Sequence, residues 1–397
     1  RDVPVIGRPD VLVVGGGSAG IAAAVASARR GADTWLLEGG GRLGGLATFG
    51  LINLLLTLDD GAGTQVVAGL CQEAVDRMGP AAVAPPAADW NREDAEAVER
   101  WRRWGLIWGA PESVRYSVAF DPESFVDVSV EMLRAAGVRL RLHTWFADVV
   151  MASERIDAVL VESKRGREAI VPRCVVDATG DGDVFTRAGA PFESTEIPPY
   201  LWFRVGGVTG EPSAFAFRTT SPGRYLVPWG PHADRVDATD PDSMTAATLA
   251  CRDAARAELE RLRRDVPGFE DAWLDDYASM LGITESRRLV GDHVLGKEDA
   301  DVRFPDAVAR TGHWTRRDVV FDVPLRAMTT PTASNLVVAG RCISTSRYVH
   351  QATKEIPAAM ATGEAAGAAA ARATDGNLRA LDVNALRADL SAAGAIL

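Results

Sequence analysis

Lysine is nearly absent from this chain. Of 43 basic residues only Lys164, Lys297 and Lys354 are lysines, so positive charge rests on arginine and each ammonium becomes worth locating. Cysteine is equally sparse: Cys71, Cys174, Cys251 and Cys342 stand far apart, without a CxxC pair. A disulfide framework, a zinc site and a dithiol redox pair therefore lack support, and buried thiols remain. His232 and His313 fall in loops with no ligand residues grouped around them, so no metal is expected. Acidic residues exceed basic ones, 54 against 43, for a net charge of −11 with no basic block. Nucleic acid is excluded as a partner, since neutralising phosphates needs clustered cations. Long apolar runs are missing too: the longest, Leu43 to Leu58, is broken by glycines and too short to span a bilayer. No cleavable signal precedes the first strand, which makes the cytoplasm the expected compartment.

Glycine, in contrast, is abundant, 38 of 397 residues, and it is concentrated in the first 50. Something near the N-terminus needs backbone freedom. The length predicts two to three domains at about 150 residues each, and a chain 47% hydrophobic and 24% charged is neither disordered nor fibrous.

Asp10 to Val14 form a β-branched run. GGGSAG follows at 15–20, and an Ala-rich stretch then ends at Gly31. Strand, glycine turn and helix come in order, and a second strand, Thr34 to Leu37, completes a βαβ unit ending at Glu38. Residues 79–88 read as a linker. Trp101, Trp104 and Trp108 recur at spacings of three and four, which predicts a helix burying an aromatic stripe. A second βα pattern runs from Pro122 through Val138, with a strand over Arg139 to Val150 that contains His143, and alternating segments up to Val176 predict an antiparallel meander. The middle, about 190–325, holds an amphipathic helix over Thr245 to Arg264 and reads as a substrate or cap domain. Near the end, Leu336 to Ala339 is a buried-type strand, and the helix from about Pro357 is made almost wholly of small residues.

Gly15, Gly17 and Gly20 have the GxGxxG spacing, with Ser18 and Ala19 inside it. A strand feeding the turn and a helix leaving it are what a bound pyrophosphate requires. Glu38, eighteen residues on, is placed to accept hydrogen bonds from a ribose diol and to repel a 2′-phosphate. Gly39 adjoins it. Arg42 to Thr48 (RLGGLAT) bring Gly44, Gly45 and Leu46 against a further phosphate-ribityl segment, and Val175 to Asp183 (VVDATGDGD) lead a strand into a glycine turn with carboxylates for a polyol. A nicotinamide dinucleotide has no ribityl chain. FAD does.

These blocks, with ITESRRLVGD at 283–292 and NLVVAGRCIS through AAMATGEAAGAAAA at 335–371, resemble the FAD-dependent oxidoreductases of the glutathione-reductase-like superfamily, on the succinate dehydrogenase/fumarate reductase flavoprotein side. The resemblance implies an α/β fold, a Rossmann-like FAD-binding domain of three ββα layers with an inserted α+β substrate/cap domain. The corresponding division is 1–78, 119–190 and 326–375 for FAD, 79–118 and 191–325 for the cap, and 376–397 for a C-terminal tail. By position it implies pyrophosphate contacts at Gly15, Gly17 and Gly20, ribose at Glu38, and adenine at the backbone of Phe146 and Ala147. Thr179, Gly180 and Asp183 would line the pyrophosphate and ribityl region, Gly340 and Arg341 would close it, and Ile356, Pro357 and Ala358 would aim a helix N-terminus at the flavin, where it favours negative charge. The family's histidine after GRCIS and its arginine three residues before the proline are replaced here by Arg347 and Lys354.

By the same resemblance Lys354 would place a cation facing the flavin. His350, between the two departures, reads either as a catalytic base or as a packed histidine. Arg287 and Arg288 read either as a clamp for a substrate carboxylate or as an interdomain ion pair; Tyr348 is a further pocket candidate. The expected function is FAD-dependent oxidation of a small organic substrate by hydride transfer to flavin N5. A fumarate-reductase-like ene-reductase and a non-redox flavoprotein isomerase or cyclase are the alternatives. A homodimer is compatible with the sequence.

Overall fold

The computed structural model describes residues 2–209, 216–228 and 234–397; His232 lies outside them. The organising element is a five-stranded sheet in the order Leu336–Val338, Cys174–Asp177, Val11–Val14, Thr34–Leu37, Arg139–Arg141, with every neighbouring pair parallel. Strands buried on both faces must be apolar throughout, and Val11, Leu12 and Val13 are wholly inaccessible. Helix α1, Ser18–Ala28, leaves the first glycine turn.

Helix α2, Gly69–Met78, follows. Helix α3, Ala95–Arg102, is shorter than the tryptophan spacing predicts: Asp94 caps it through the Glu96 and Ala97 amides, and the chain turns at Gly105 with φ +72°, where a Cβ would strike the Phe217 ring. Trp101 alone is helical. Trp108 lies in a two-residue strand paired with Ser113–Val114. The stretch 79–88 is not a free linker either, because Ala82–Val83 pair with Val118–Phe120.

Helix α4, Pro122–Ala136, is capped by Asp121 and stopped by Gly137 at φ +78°. Beyond it the single strand expected over 139–150 divides. Arg139–Arg141 complete the parallel sheet, while Trp145–Met151 begin an antiparallel sheet with Ile156–Ser163 and Gly166–Ile170. His143, at φ 53°, sits in the break, where the amides of His143 and Thr144 bond to the carbonyls of Gly40 and Glu38. The chain changes sheets there to close over the end of the second parallel strand.

Helix α5, Asp183–Arg187, follows the second glycine turn. Helix α6, Pro241–Asp265, exceeds its expected span because Asp240 caps it one turn earlier. It packs with a four-stranded sheet, Phe217–Arg218, Arg224–Val227, Phe203–Gly206 and Trp273–Tyr277. Helices α7, Arg347–Thr353, α8, Ile356–Arg372, and α9, Val383–Ala392, end the chain.

Apolar side chains gather in two clusters. One joins the parallel sheet with α1, α2, α4 and α8. The other joins α6 with its sheet and recruits Leu51, Leu54 and Leu56 from the N-terminal portion. All four cysteines are buried. Among the described residues no helix is long and apolar enough to cross a membrane.

Candidate functional site

A cavity of about 460 Å³ opens where the parallel strands end. Its wall takes Val14, Leu37, Ala178 and Ala339 with the turns that follow each, so the carboxyl edge of the sheet delivers four loops to one place. Ligands of open α/β sheets bind at this edge, where strand order reverses.

The first turn is shaped by backbone crowding. Gly15 has φ +104°, and a Cβ at Gly20 would lie 1.8 Å from the Gly15 carbonyl oxygen. Gly20 therefore packs under the turn and does not line the cavity. A Cβ at Gly17 would meet nothing within 4 Å. The Gly44 amide bonds to the Gly16 carbonyl at 2.8 Å, zipping the two early glycine loops together. Thr48, buried below, bonds through Oγ1 to the Leu43 carbonyl at 2.6 Å and supports the loop from outside the wall. The Glu38 carboxylate lies in the wall and accepts from the amides of Gly16, at 2.9 Å, and Gly40, at 2.7 Å.

The 178–183 turn is wound about Asp177. Wholly buried, Asp177 accepts from Thr179 N and Oγ1 and from the Val184 and Phe185 amides. Burial pushes its carboxyl up, and these bonds pull against that shift. Asp183 is pushed up to about 6, by burial first and then by Asp177 and Asp181, against the paired Arg287. Arg341 bonds Asp181 at 2.8 Å and fills the space that Gly180, at φ +83°, leaves open.

Lys354 and the start of α8 also border the cavity. Ile356 and Ala359 line the cavity there; Pro357 and Ala358 are buried beside them. Lys354 Nζ is 3.6 Å from Glu355 and 5.7 Å from the Trp314 ring centre. Burial raises the Glu355 carboxyl while Lys354 opposes the shift.

Ser18, Ala19, Gly39, Gly45, Leu46, Phe146, Thr179 and Gly340 also lie in the wall. Arg42 turns outward to pair with Glu123 at 2.6 Å, and Ala147 lies one residue beyond the wall. His350, Arg288 and Arg347 are not in it. They converge on Glu285: Arg288 Nε at 3.1 Å, Arg347 Nε at 3.6 Å and His350 Nδ1 at 4.0 Å. His350 is 0% exposed, neither ring nitrogen has a hydrogen-bond partner, and burial drives its pKa well below the usual value. Arg288 also bonds Glu193 at 2.8 Å across a strand pair, an internal ion-pair arrangement.

Sequence reasoning passed over several wall residues. Asp181 was within reach, inside the aspartate–glycine run. Phe49, Ser279, Met280 and Thr284 carry no local signal: the Ser279 and Met280 amides reach the wall by bonding the Phe49 carbonyl, at 2.8 and 3.1 Å, across more than two hundred residues. Trp145, 65% exposed, adds an indole at the rim next to Phe146.

These residues suit FAD. A cradle without Cβ atoms faces the cavity at Gly17, a helix N-terminus follows it, and the buried Arg341 Nε is a donor without a partner. No curated protein matches the sequence. Among solved structures the chain is similar to a geranylgeranyl bacteriochlorophyll reductase-like protein from Thermoplasma acidophilum, at 14% identity and TM-score 0.53 over 97% of this chain and 82% of that one. It is similar also to the L-amino acid deaminase of Proteus myxofaciens, at 14% and 0.52 over 97% and 94%. The p-nitrophenol 4-monooxygenase of Pseudomonas putida gives 14% and 0.51 over 97% and 81%. At such identity the likeness is one of fold. Residues 10–223 and 202–390 match the FAD dependent oxidoreductase family, and the chain belongs to that family, an enzyme with FAD as its cofactor.

Proposed function

We propose that this enzyme is a dehydrogenase or oxidase acting on a small organic substrate, within a discontinuous FAD domain (1–78, 119–190, 326–375) and a cap (79–118, 191–325), with 376–397 as a tail. The two apolar clusters support that division in part: Leu51, Leu54 and Leu56 pack with the cap, while Leu289, Leu295, Val308, Phe321 and Val323, inside the cap's bounds, pack with the parallel sheet. FAD, when bound, supplies a two-electron acceptor that takes a hydride at N5. Gly15 to Ala19 and the α1 N-terminus hold the pyrophosphate, with Gly20 packed beneath the turn, and Glu38 accepts from the ribose. The backbone at Phe146 and Ala147 receives adenine, and Thr179, Gly180, Asp183, Gly340 and Arg341 surround the ribityl chain.

The observation that carries the reading is Lys354 in the cavity wall beside the α8 N-terminus. A cation and a helix N-terminus favour negative charge at the same end of the cavity, the helix by about 0.3–1 kcal/mol, up to about 2 when partly buried. Lys354 holds a proton at Nζ there. His350, shut away behind the wall, is assigned to packing α7 beneath Lys354 in place of proton transfer, and Arg288 and Arg347 to anchoring Glu285.

Anaerobic mixing of the holoenzyme with candidate substrates tests the proposal through bleaching of the flavin absorption, which Lys354→Met slows. Reoxidation of photoreduced enzyme by unsaturated acids, without bleaching by any saturated substrate, replaces it with the ene-reductase. Turnover with an unchanged flavin spectrum replaces it with the isomerase.

A further inference from the structure

The cations near Lys354 are unbalanced. Most arginines of this chain lie against carboxylates; Arg317, for example, pairs with Glu93 and Asp318. Its neighbour Arg316 has no ion-pair partner among the described residues, and neither has Lys297. Both instead lie over one ring: Lys297 Nζ is 5.3 Å and the Arg316 guanidinium 5.5 Å from the centre of Tyr348. Tyr348 neighbours His313, with ring centres 5.8 Å apart, and the residue after His313 is Trp314, whose ring faces Lys354. Two of the three lysines in the chain thus belong to one row. It runs from exposed Lys297 and Arg316 to Lys354, whose side chain is 14% exposed in the cavity wall.

The inner end of this row has donors to spare. Arg115 is 1% exposed, gives Nη1 to the His313 and Arg316 carbonyls at 3.3 and 3.2 Å, and leaves Nε and Nη2 without partners. The buried Trp314 Nε1 also lacks an acceptor. Acids facing the row do not cancel it. Glu355 meets Lys354, and Asp59 offsets Arg115. Asp299, close in sequence to Lys297, is taken up by His293 and the Gly296 amide. His313 adds no charge, since burial, Arg316, Arg115 and Lys354 lower it to about 4. Asp60 and Asp318 act on Arg115 as well, against Arg317, which leaves Lys297 and Arg316 as the cations of the row without an ion-pair partner among the described residues. Buried donors left unsatisfied are costly, and a cationic row in an acidic protein raises the local concentration of anions.

We propose that the substrate is an organic carboxylate, steered in along Lys297 and Arg316 over Tyr348 and held at the cavity wall by Lys354 Nζ. The proposal rests on the reading of this cavity as the flavin and substrate site. It needs no turnover to be tested. Benzoate and its neutral isostere benzamide are titrated into the holoenzyme, with perturbation of the flavin absorption as the readout and FAD content measured for each variant. Benzoate is expected to bind about tenfold or more tightly than benzamide. Lys354→Met removes the difference and Lys354→Arg retains it. The Lys297→Ser/Arg316→Gln double variant slows benzoate association several-fold and flattens its salt dependence, leaving benzamide unaffected. An equal response to the two ligands, including none to either, overturns the proposal, as does a benzoate preference that survives Lys354→Met. Failure of the hydride-transfer reading would appear separately, as enzyme that binds benzoate but is bleached by no substrate.

Discussion

At the scale of the residue, Glu38 shows how one carboxylate ties a proposed cofactor contact to the loops around it. Its bonds to the Gly16 and Gly40 amides hold both glycine turns at the distance the cavity requires. In Glu38→Ala both amides lose their acceptor and the proposed ribose contact goes with them. FAD retention is expected to fall about tenfold, read as flavin per protein after dialysis, with the far-ultraviolet circular dichroism unchanged. Full stoichiometry in the variant would detach Glu38 from the ribose. Glu38 was readable from its offset after GxGxxG. Asp177, which winds the second turn, stands in an equally conspicuous run, but four bonds to one buried carboxylate become visible only once the chain is folded.

At the scale of the element, α8 is held by what its side chains lack. Gly363 and Gly367 bring its backbone onto α1, where a Cβ would lie 2.1 Å from the Ala19 carbonyl oxygen and 2.0 Å from that of Ala23. Gly367→Ala gains about 1 kcal/mol of helix propensity, yet a clash with backbone cannot be relieved by a rotamer, and overpacking costs about 1–3 kcal/mol or more. The variant is expected to unfold at lower urea with an unchanged slope, and a stabilised variant would refute the close packing. On the same helix Glu364, 3% exposed, accepts from the Leu70 amide at the start of α2. Burial raises it to about 7, against Leu70, Arg30 and Arg29, with Glu73 adding to the rise. Folded protein thus holds a proton that unfolded chain has released between the ordinary carboxylate range and about 7, so this group's contribution to stability falls as pH rises through that window. Glu364→Gln keeps the acceptor without the titration. Its melting temperature relative to the parent should rise from pH 5 to pH 8, by the equivalent of up to about 3 kcal/mol, and a constant difference would exclude the coupling. The small-residue composition of α8 was legible; its partner was not. The tryptophan spacing misled for a related reason, since Gly105 ends the helical path to admit Phe217, a contact from another segment.

At the scale of the whole molecule, the cavity is closed by turns from both ends and the middle of the chain, so a ligand there restrains segments that are independent when unfolded. FAD added to apoprotein should raise the melting temperature continuously with concentration, by the equivalent of about 2.7 kcal/mol at a hundredfold excess over Kd, followed by differential scanning calorimetry. A shift confined to one of two separate transitions would show that the cap does not sense the cofactor.

The sequence by itself determined the βαβ entry, the glycine turns with Glu38, the FAD cofactor and membership of an FAD-dependent oxidoreductase family, because backbone geometry at a phosphate is a local requirement written in a few adjacent residues. Tertiary structure alone decided the rest. It withdrew His350 from the cavity wall and left Lys354 there, and it brought Phe49 to Ser279. It also set Lys297, Arg316 and Trp314 in one row with Lys354. Burial and charge balance belong to side chains from distant segments that meet only when both cores have packed, and two of the chain's three ammonium groups are thereby aligned in one row that ends at the cavity wall.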